Sequence, residues 1–526
     1  MTRPVAGPQP APGTPGTTPG ASADPVPRPP RKCDHVGVEQ RPVAATGSET
    51  YWIAGIFAAI MTALSGRYGY HRDELYFLAA GRRLDWGYPD QPPLVPLLAR
   101  AMSAIDSNSV MLLRLPATLA ATAVVICAGL VARELGGGRV AQAIAAGALA
   151  SAAVVAGAGH TLSTAGIDLA VWSVLMLLVL RLLRRDFDPR WWLGIGVLAG
   201  LGAQNKALIV VPLAALAFSL LAVGPREVFA TRYFPIALGV VAVITAPYAV
   251  WQARNGWPQW ALSRAIAGGS SGSSNSRIEF VLLQLGLVGV LLVPLWAYGL
   301  WWLWRRPRYR AFVVTYAVLF LGYLALVGKA YYLAEMYPLL VAAGAVGIES
   351  RLMSHRIRLA AMIFAIASNA AFSAVIFLPV LPMSVLRDPS AILAINKEAG
   401  ETVGWPQFTA RIADVRAQSA PGADLITGNY GEAAAIERFG ARYDLPTPHS
   451  VHNAYWWWGP PADAHAVIIL GIPTDRLARF CADSEPLGRI DNGLGIHNDE
   501  QGRVIMLCRT PRRPWSEMWL AMRNLG

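Results

Sequence analysis

The chain of 526 residues is 54% hydrophobic and only 15% charged, whereas a soluble globular protein carries roughly a quarter charged residues. Charge this sparse favours a membrane protein. The formal net charge of +12 does not point to nucleic acid, because the Lys and Arg residues fall in short clusters between apolar runs, the pattern of loops flanking membrane spans.

Residues 1–49 are rich in Pro, Gly, Ala and Thr and have almost no large apolar residue. Such a segment cannot bury enough surface to offset its ordering entropy and is expected to be a disordered tail. It has no early apolar core with a small-residue cleavage site, so it is not a signal peptide. The apolar run at Tyr51–Leu64 comes later and reads as an uncleaved anchor. Arg28, Arg31, Lys32 and Arg41 precede it and argue for a cytoplasmic N-terminus.

A helix needs about 20 apolar residues to cross a bilayer. Apolar runs lie near 50–66, 109–132, 140–158, 165–183, 191–204, 207–223, 233–251, 279–304, 310–328, 336–349 and 358–381. The expectation is a polytopic α-helical protein of the plasma membrane with about eleven spans, the short run at 191–204 being the weakest. Starting inside, the cytoplasmic loops hold clusters such as Arg305, Arg306, Arg308 and Arg310, and the outer loop at 159–164 has no Lys or Arg. The positive-inside bias supports this orientation, although the first outer loop carries five arginines from Arg67 to Arg100. An odd span count puts everything after residue 382 outside, on the side of the 67–108 loop.

Residues 383–526 change character. Ala423–Ile426, Ala466–Leu470 and Val504–Cys508 read as buried strands, and Glu432–Phe439 and Thr474–Cys481 as helices. The alternation suggests a small extracytoplasmic α/β domain. Cys481 and Cys508 both fall in it, and read either as a disulfide or as two buried thiols. No Cys/His spacing resembles a zinc site.

Four groups of residues carry candidate chemistry. The first outer loop places Arg72, Asp73, Glu74, Asp85, Asp90 and Gln91 at the lip of an apolar bundle, where polar groups are costly and usually kept for function; a solvated loop with mutually paired charges is the bland alternative. His160 and Asp168 bracket the second outer connection, and Asp168 reads equally as a charge favoured by a helix N-terminus. Lys206 follows Gln204-Asn205 and reads equally as a snorkelling cation. Lys329, Tyr331 and Tyr332 form the last group, in which the aromatics also suit an interfacial belt. All map to one membrane boundary. There, acids can take a proton from an acceptor hydroxyl and cations can stabilise a departing phosphate.

The pattern resembles the GT-C glycosyltransferases of the protein-mannosyltransferase-like superfamily, which includes the bacterial aminoarabinose lipid A transferases. The resemblance rests on Asp73-Glu74-Leu75-Tyr76 after the first span, Asp90-Gln91-Pro92-Pro93, Asp168, Asn205-Lys206, Lys329-Ala330-Tyr331-Tyr332-Leu333 with Tyr337-Pro338, and the segments 428–433 and 450–460. It covers roughly residues 50–510. It implies a GT-C fold and transfer of a sugar from a polyprenyl-phosphate donor to an extracytoplasmic protein, lipid or envelope glycan, with inversion. It implies Asp73 as general base, Glu74 orienting it or binding the acceptor, and Asp168 as a second acid near the donor. Lys206 and Lys329 would meet the phosphate, with Arg72, Asp90, His160, Tyr331 and Tyr332 around the substrate. The aminoarabinose branch has Lys where this chain has Gln91, so phosphate contacts from Arg72, Arg82 or Arg83 enter as lower-ranked options, since those arginines can also pair with Asp85 and Asp90. No metal or other cofactor is expected to be essential; a divalent ion stays open. Asn429, Tyr430, Glu432, His452 and Asn453, with Tyr455–Trp458, suit stacking on an acceptor sugar or, equally, a core plus an aromatic membrane patch. A transporter or flippase of lipid-linked sugars is the rival. It is disfavoured because no inverted repeat or matched pair of broken helices is evident.

Overall fold

A computed structural model describes residues 45–184, 186–268, 276–463 and 466–525. The expected disordered tail falls, for residues 1–44, outside the described residues, as does Arg185 of the predicted cytoplasmic clusters. The first helix starts at Ser48, so residues 48 and 49 belong to it rather than to the tail.

Each of the eleven apolar runs is helical, but not each is one straight helix. In chain order the helices are α1 (Ser48–Ser65), α2 (Arg72–Arg82), α3 (Leu94–Ile105), α4 (Val110–Glu134), α5 (Arg139–Ala150), α6 (Ala153–His160), α7 (Thr164–Leu182), α8 (Trp191–Asn205), α9 (Val210–Val223), α10 (Tyr233–Arg254), α11 (Pro258–Ala267), α12 (Arg277–Val288), α13 (Val293–Trp304), α14 (Arg310–Ala325), α15 (Tyr337–Met353) and α16 (Arg356–Phe377). A 3₁₀ turn, Ala330–Met336, leads into α15. Among the described residues, five helices are long and apolar enough for a straight crossing, or seven if each of two bent pairs counts once. The eleven runs therefore do not translate into eleven full-length spans by this measure. The chain is a multi-pass membrane protein.

The two breaks share one polar staple. The α5–α6 pair bends by 57° and the α12–α13 pair by 81°. Backbone carbonyls freed at membrane depth must find donors inside the protein. Asn369 of α16 supplies them: its amide donates to Ser151 O and to Val288 O, each at 2.8 Å. Gly289 takes φ +118° at the second break, and the Asn369 side chain occupies the space a Cβ would need there. The apolar windows of α10 and α16 are only 11% and 17% buried, as lipid-facing helices should be, whereas α4, α7 and Ala330–Met353 form the centre.

The polar part is built from α17 (Ala391–Ile395), α18 (Trp405–Ser419), β1 (Asp424–Thr427), α19 (Tyr430–Phe439), β2 (His449–Ser450), α20 (Asn453–Trp457), β3 (Val467–Leu470), α21 (Thr474–Leu477), β4 (Cys481–Arg489), β5 (Val504–Pro511) and α22 (Trp515–Met522). The sheet order is β2-β1-β3-β5-β4, parallel across β2-β1-β3 and antiparallel across β3-β5-β4. The three expected strands are present. The helix expected at Thr474–Cys481 stops at Leu477, and Cys481 opens β4 instead, pairing with β5. Cys481 and Cys508 are bonded as a disulfide that ties these two strands. The helix α18 and the strands β2 and β4 were not foreseen.

This part packs directly on the first loop. Leu75 to Ala80 of α2 share one apolar core with Leu425, Ala433 to Ile436, Tyr455, Ile468 and Leu470. The loop is thus a buried layer between membrane helices and sheet, and residues 42–526 form one unit.

Candidate active site at the membrane boundary

The site begins with how α2 is held. Its N-cap is His71, whose Nδ1 accepts from the Asp73 backbone N–H, and Glu74 at the third helical position accepts from the His71 N–H at 2.9 Å. Satisfying the free N–H groups of a first turn in this reciprocal way sets the helix start. Glu74 is fully buried; it also accepts from Arg114 Nε and Nη2 and from Leu162 N–H, each at 2.9 Å. Arg114, likewise fully buried, donates further to Ser65 O and Gly69 O. Burial opposes ionisation of Glu74, but the Arg114 charge and hydrogen bonds outweigh it and lower its pKa. With both oxygens occupied, Glu74 is an anchor of the loop and has no lone pair directed at a substrate.

Asp73, one residue earlier, is different. Its side chain is about a third exposed, and its Oδ1 accepts from Tyr430 Oη at 2.7 Å. His71 Nδ1 stands 3.9 Å from Oδ2, and His71 Nε2 bonds Glu398 Oε2 at 2.9 Å. Burial works against charge on His71, but the Glu398 hydrogen bond and the Asp73 and Glu398 carboxylates raise its pKa. Arg72 is committed to carboxylates: Asp499 at 2.9 Å, Glu398 at 3.6 Å and Glu401 at 3.8 Å. Arg82 and Arg83 pair with Glu437 of α19, at 3.2 and 2.9 Å, rather than with Asp85 or Asp90. These three arginines fasten the loop to the α/β part.

Asp90 accepts from Tyr76 Oη at 2.7 Å, and Tyr76 Oη accepts from Ala454 N–H. Burial pushes the Asp90 carboxyl up to about 7, with the nearby Asp73 charge adding to the rise. The rings of Tyr76 and Tyr430 lie 4.8 Å apart, so two carboxylates are each held by a tyrosine and the tyrosines touch. Gln91 is buried, and its backbone carbonyl accepts from Tyr88 N–H.

Beside this cluster lies a cavity of about 590 Å³. His71, His160, Asp168, Lys206, Tyr331, Glu335 and Glu398 line its polar region, and Leu283, Leu287, Val290, Phe372 and Ile376 its apolar region. Val290 and Phe372 are themselves exposed. Lys206 Nζ sits 3.2 Å from Asp168 Oδ2 and 4.7 and 5.3 Å from the ring centres of Tyr332 and Tyr331. Lys329 makes no ion pair among the described residues, and feels the charges of Asp73, Lys206, Glu398 and Arg72; burial lowers its pKa. His160 contacts Arg114 at 3.4 Å. The side chains therefore form an acid-and-cation rim opening into an apolar pocket whose wall includes exposed apolar side chains. No group of three or more His, Cys, Asp or Glu side chains is arranged to hold a metal ion among the described residues.

Residues 90–251 match the family model described as dolichyl-phosphate-mannose-protein mannosyltransferase. The structure is similar to ArnT from Cupriavidus metallidurans in the apo state, with TM-score 0.57 and 16% identity over 88% of this chain and 98% of that one. The likeness to ArnT bound to undecaprenyl phosphate is similar, at TM-score 0.56 and 16% identity over the same shares. The chain is a membrane protein of the GT-C fold. The mycobacterial arabinofuranosyltransferase AftD matches at TM-score 0.50 and 14% identity, over 88% of this chain and 40% of that one. No curated protein matches in sequence.

Within this GT-C chain, the candidate residues of the C-terminal part divide. Tyr430 reaches Asp73. The His452 ring lies tilted against Tyr430, centroids 4.9 Å apart, and burial, then the Arg72 charge, lowers its pKa to about 4. Asn429 and Glu432 form the capping box of α19, and Glu432 is buried. Asn453 opens α20 with φ +48°. Arg114, Glu335 and Glu398 escaped the sequence reading. Arg114 sits near the start of an otherwise apolar span, and a charge at that place in the sequence is the signal that points to it.

Proposed function

We propose that this GT-C protein is a glycosyltransferase that moves a sugar from a polyprenyl-phosphate donor to a hydroxyl outside the cytoplasm. The observation that carries the reading is the pocket beside Asp73: apolar toward the lipid face, with Lys206 on its polar wall and Lys329 nearby. A prenyl chain suits the first region and a phosphate the second. ArnT, similar in fold, has been seen with undecaprenyl phosphate. The Asp73 carboxylate takes the acceptor hydroxyl's proton as that oxygen bonds to the anomeric carbon. The bond from that carbon to the phosphate oxygen breaks, and its electrons leave with the lipid phosphate. A single displacement inverts the centre. The N-terminus is assigned to the cytoplasm and the α/β part to the outside, and no metal is required.

The test is transfer of radiolabel from a polyprenyl-phosphate sugar by purified protein. Asp73→Asn keeps the shape and removes the base, and the expected loss is about 10²–10⁴-fold. A folded Asn variant with near-full transfer overturns the assignment of Asp73. Movement of the donor across vesicles without its consumption would favour a flippase instead. Activity that survives a chelator supports the metal-free reading.

A further inference from the structure

The α/β part enters the site through one hydroxyl. Tyr430, the first residue of α19, donates from Oη to Asp73 Oδ1 at 2.7 Å. Among the described residues this is the only hydrogen bond that the Asp73 carboxylate accepts from a side chain: Arg72 Nε stands 3.9 Å from Oδ1, and His71 Nδ1 3.9 Å from Oδ2. Tyr430 is itself held from two sides of its backbone and by its ring. The capping box of Asn429 and Glu432 sets where α19 starts. A Cβ on Gly431 would come 2.9 Å from Arg72 Cβ, so the first turns of α19 and α2 lie against each other. The ring packs on Tyr76 and on His452, with centroids 4.8 and 4.9 Å away. Burial, with the Asp73 charge adding to it, raises the phenol pKa well above its usual value, so the hydroxyl keeps its proton and stays a donor. An aspartate that is a third exposed and has no partner samples several rotamers. A catalytic group displaced by about 1 Å can lose on the order of 10²-fold in rate.

We propose that Tyr430 is a positioning residue for the transfer step: its hydroxyl holds the Asp73 carboxylate in the orientation from which Oδ2 takes the acceptor's proton, so the active site is complete only with the α/β part docked on the first loop. This rests on the reading of Asp73 as the base. No proton leaves Tyr430. Its O–H is donated to Oδ1 before and after transfer, and the acceptor's proton goes to Oδ2. Tyr430 thus acts through Asp73 and not on the substrate, and its ring contacts are separable from what its hydroxyl does.

The test uses the full chain in detergent and follows release of bare undecaprenyl phosphate from its lipid-labelled mannose, glucose, galactose and arabinose phosphodiesters, with heat-treated cell-envelope extract as the source of acceptor hydroxyls. Tyr430→Phe removes the hydroxyl and keeps the ring against Tyr76 and His452. On the donor that the wild type turns over, it should lower kcat at least tenfold and leave KM within twofold, the pattern of an interaction that matters in the transition state. In the Asp73→Asn background no base is left to aim, and the same change should slow the residual reaction less than twofold. A Tyr430→Phe protein with near-wild-type kcat overturns the proposal. So does a loss confined to KM. Equal slowing in the two backgrounds also overturns it, because the hydroxyl would then act on the substrate or on the local fold. A wild type that turns over no donor, or an Asp73→Asn variant as fast as the wild type, refutes the base reading itself and the proposal with it.

Discussion

Asp73 and Glu74 are neighbours in the chain, yet the geometry gives them opposite fates on substitution. Glu74 and Arg114 are both fully buried and joined by two hydrogen bonds of 2.9 Å. Arg114→Met leaves Glu74 with only the His71 and Leu162 N–H donors and strips Ser65 O and Gly69 O of theirs. Breaking one side of a buried pair costs about 3–5 kcal/mol. At about 2 °C per kcal/mol for a long chain, the melting temperature should fall by roughly 6–10 °C. Glu74→Gln retains an acceptor and the shape but loses charge assistance, and should cost about 1–3 kcal/mol. The pair Glu74→Leu with Arg114→Met should cost less than the two single losses summed, because neither charge is then stranded. The assay is thermal unfolding in detergent alongside transfer at a temperature where all variants are folded. Asp73→Asn should lose transfer without a comparable loss of melting temperature, and Glu74→Gln should do the reverse. A Glu74→Gln protein that is fully stable and inactive would refute the assignment of Glu74 as an anchor.

Asp90 gives a pH signature. Its folded pKa of about 7 lies above the ordinary value of about 3.9. The folded state therefore binds more protons between those values, and stability falls as pH rises through that window. Asp90→Asn should flatten the dependence of melting temperature on pH and exceed the wild type most at pH 8. Lys206→Met strands the buried Asp168 carboxylate and should lose about 3–5 kcal/mol together with binding of undecaprenyl phosphate; adding Asp168→Asn should restore melting temperature but not binding. Replacing Cys481 and Cys508 by Ser opens a loop of 27 residues and should cost about 3.5 kcal/mol on the chain-entropy account, read as a drop in melting temperature from the oxidised wild type that the reduced wild type shares.

The apolar runs could be read directly because a bilayer selects on composition over about 20 adjacent residues, and all eleven proved helical. The strands β1, β3 and β5 were legible for the same reason, as short buried runs between turn signals. Asp73, Asp168, Lys206 and Lys329 could be picked out as charges at the ends of spans. Their roles relative to one another could not, because these depend on contacts across the chain: Glu74 meets Arg114 40 residues away, and Asp73 meets Tyr430 357 residues away. Asn429 and Glu432 look like sugar-binding groups in sequence, yet a capping box uses the same residue types at the same spacing.

By itself, then, the sequence determined the membrane class, the helical runs, the strands with continuous apolar patterns and the set of ionisable residues at one boundary, all local properties. Tertiary structure alone decided that Asn369 staples two broken helices, that Arg72, Arg82 and Arg83 pair with carboxylates of the α/β part, and that Glu335 stands beside Asp168. Burial is the physical reason. A carboxylate costs little in water and much inside the protein, so which charges need partners, and which are left open for a ligand, is settled only when the chain has folded around them.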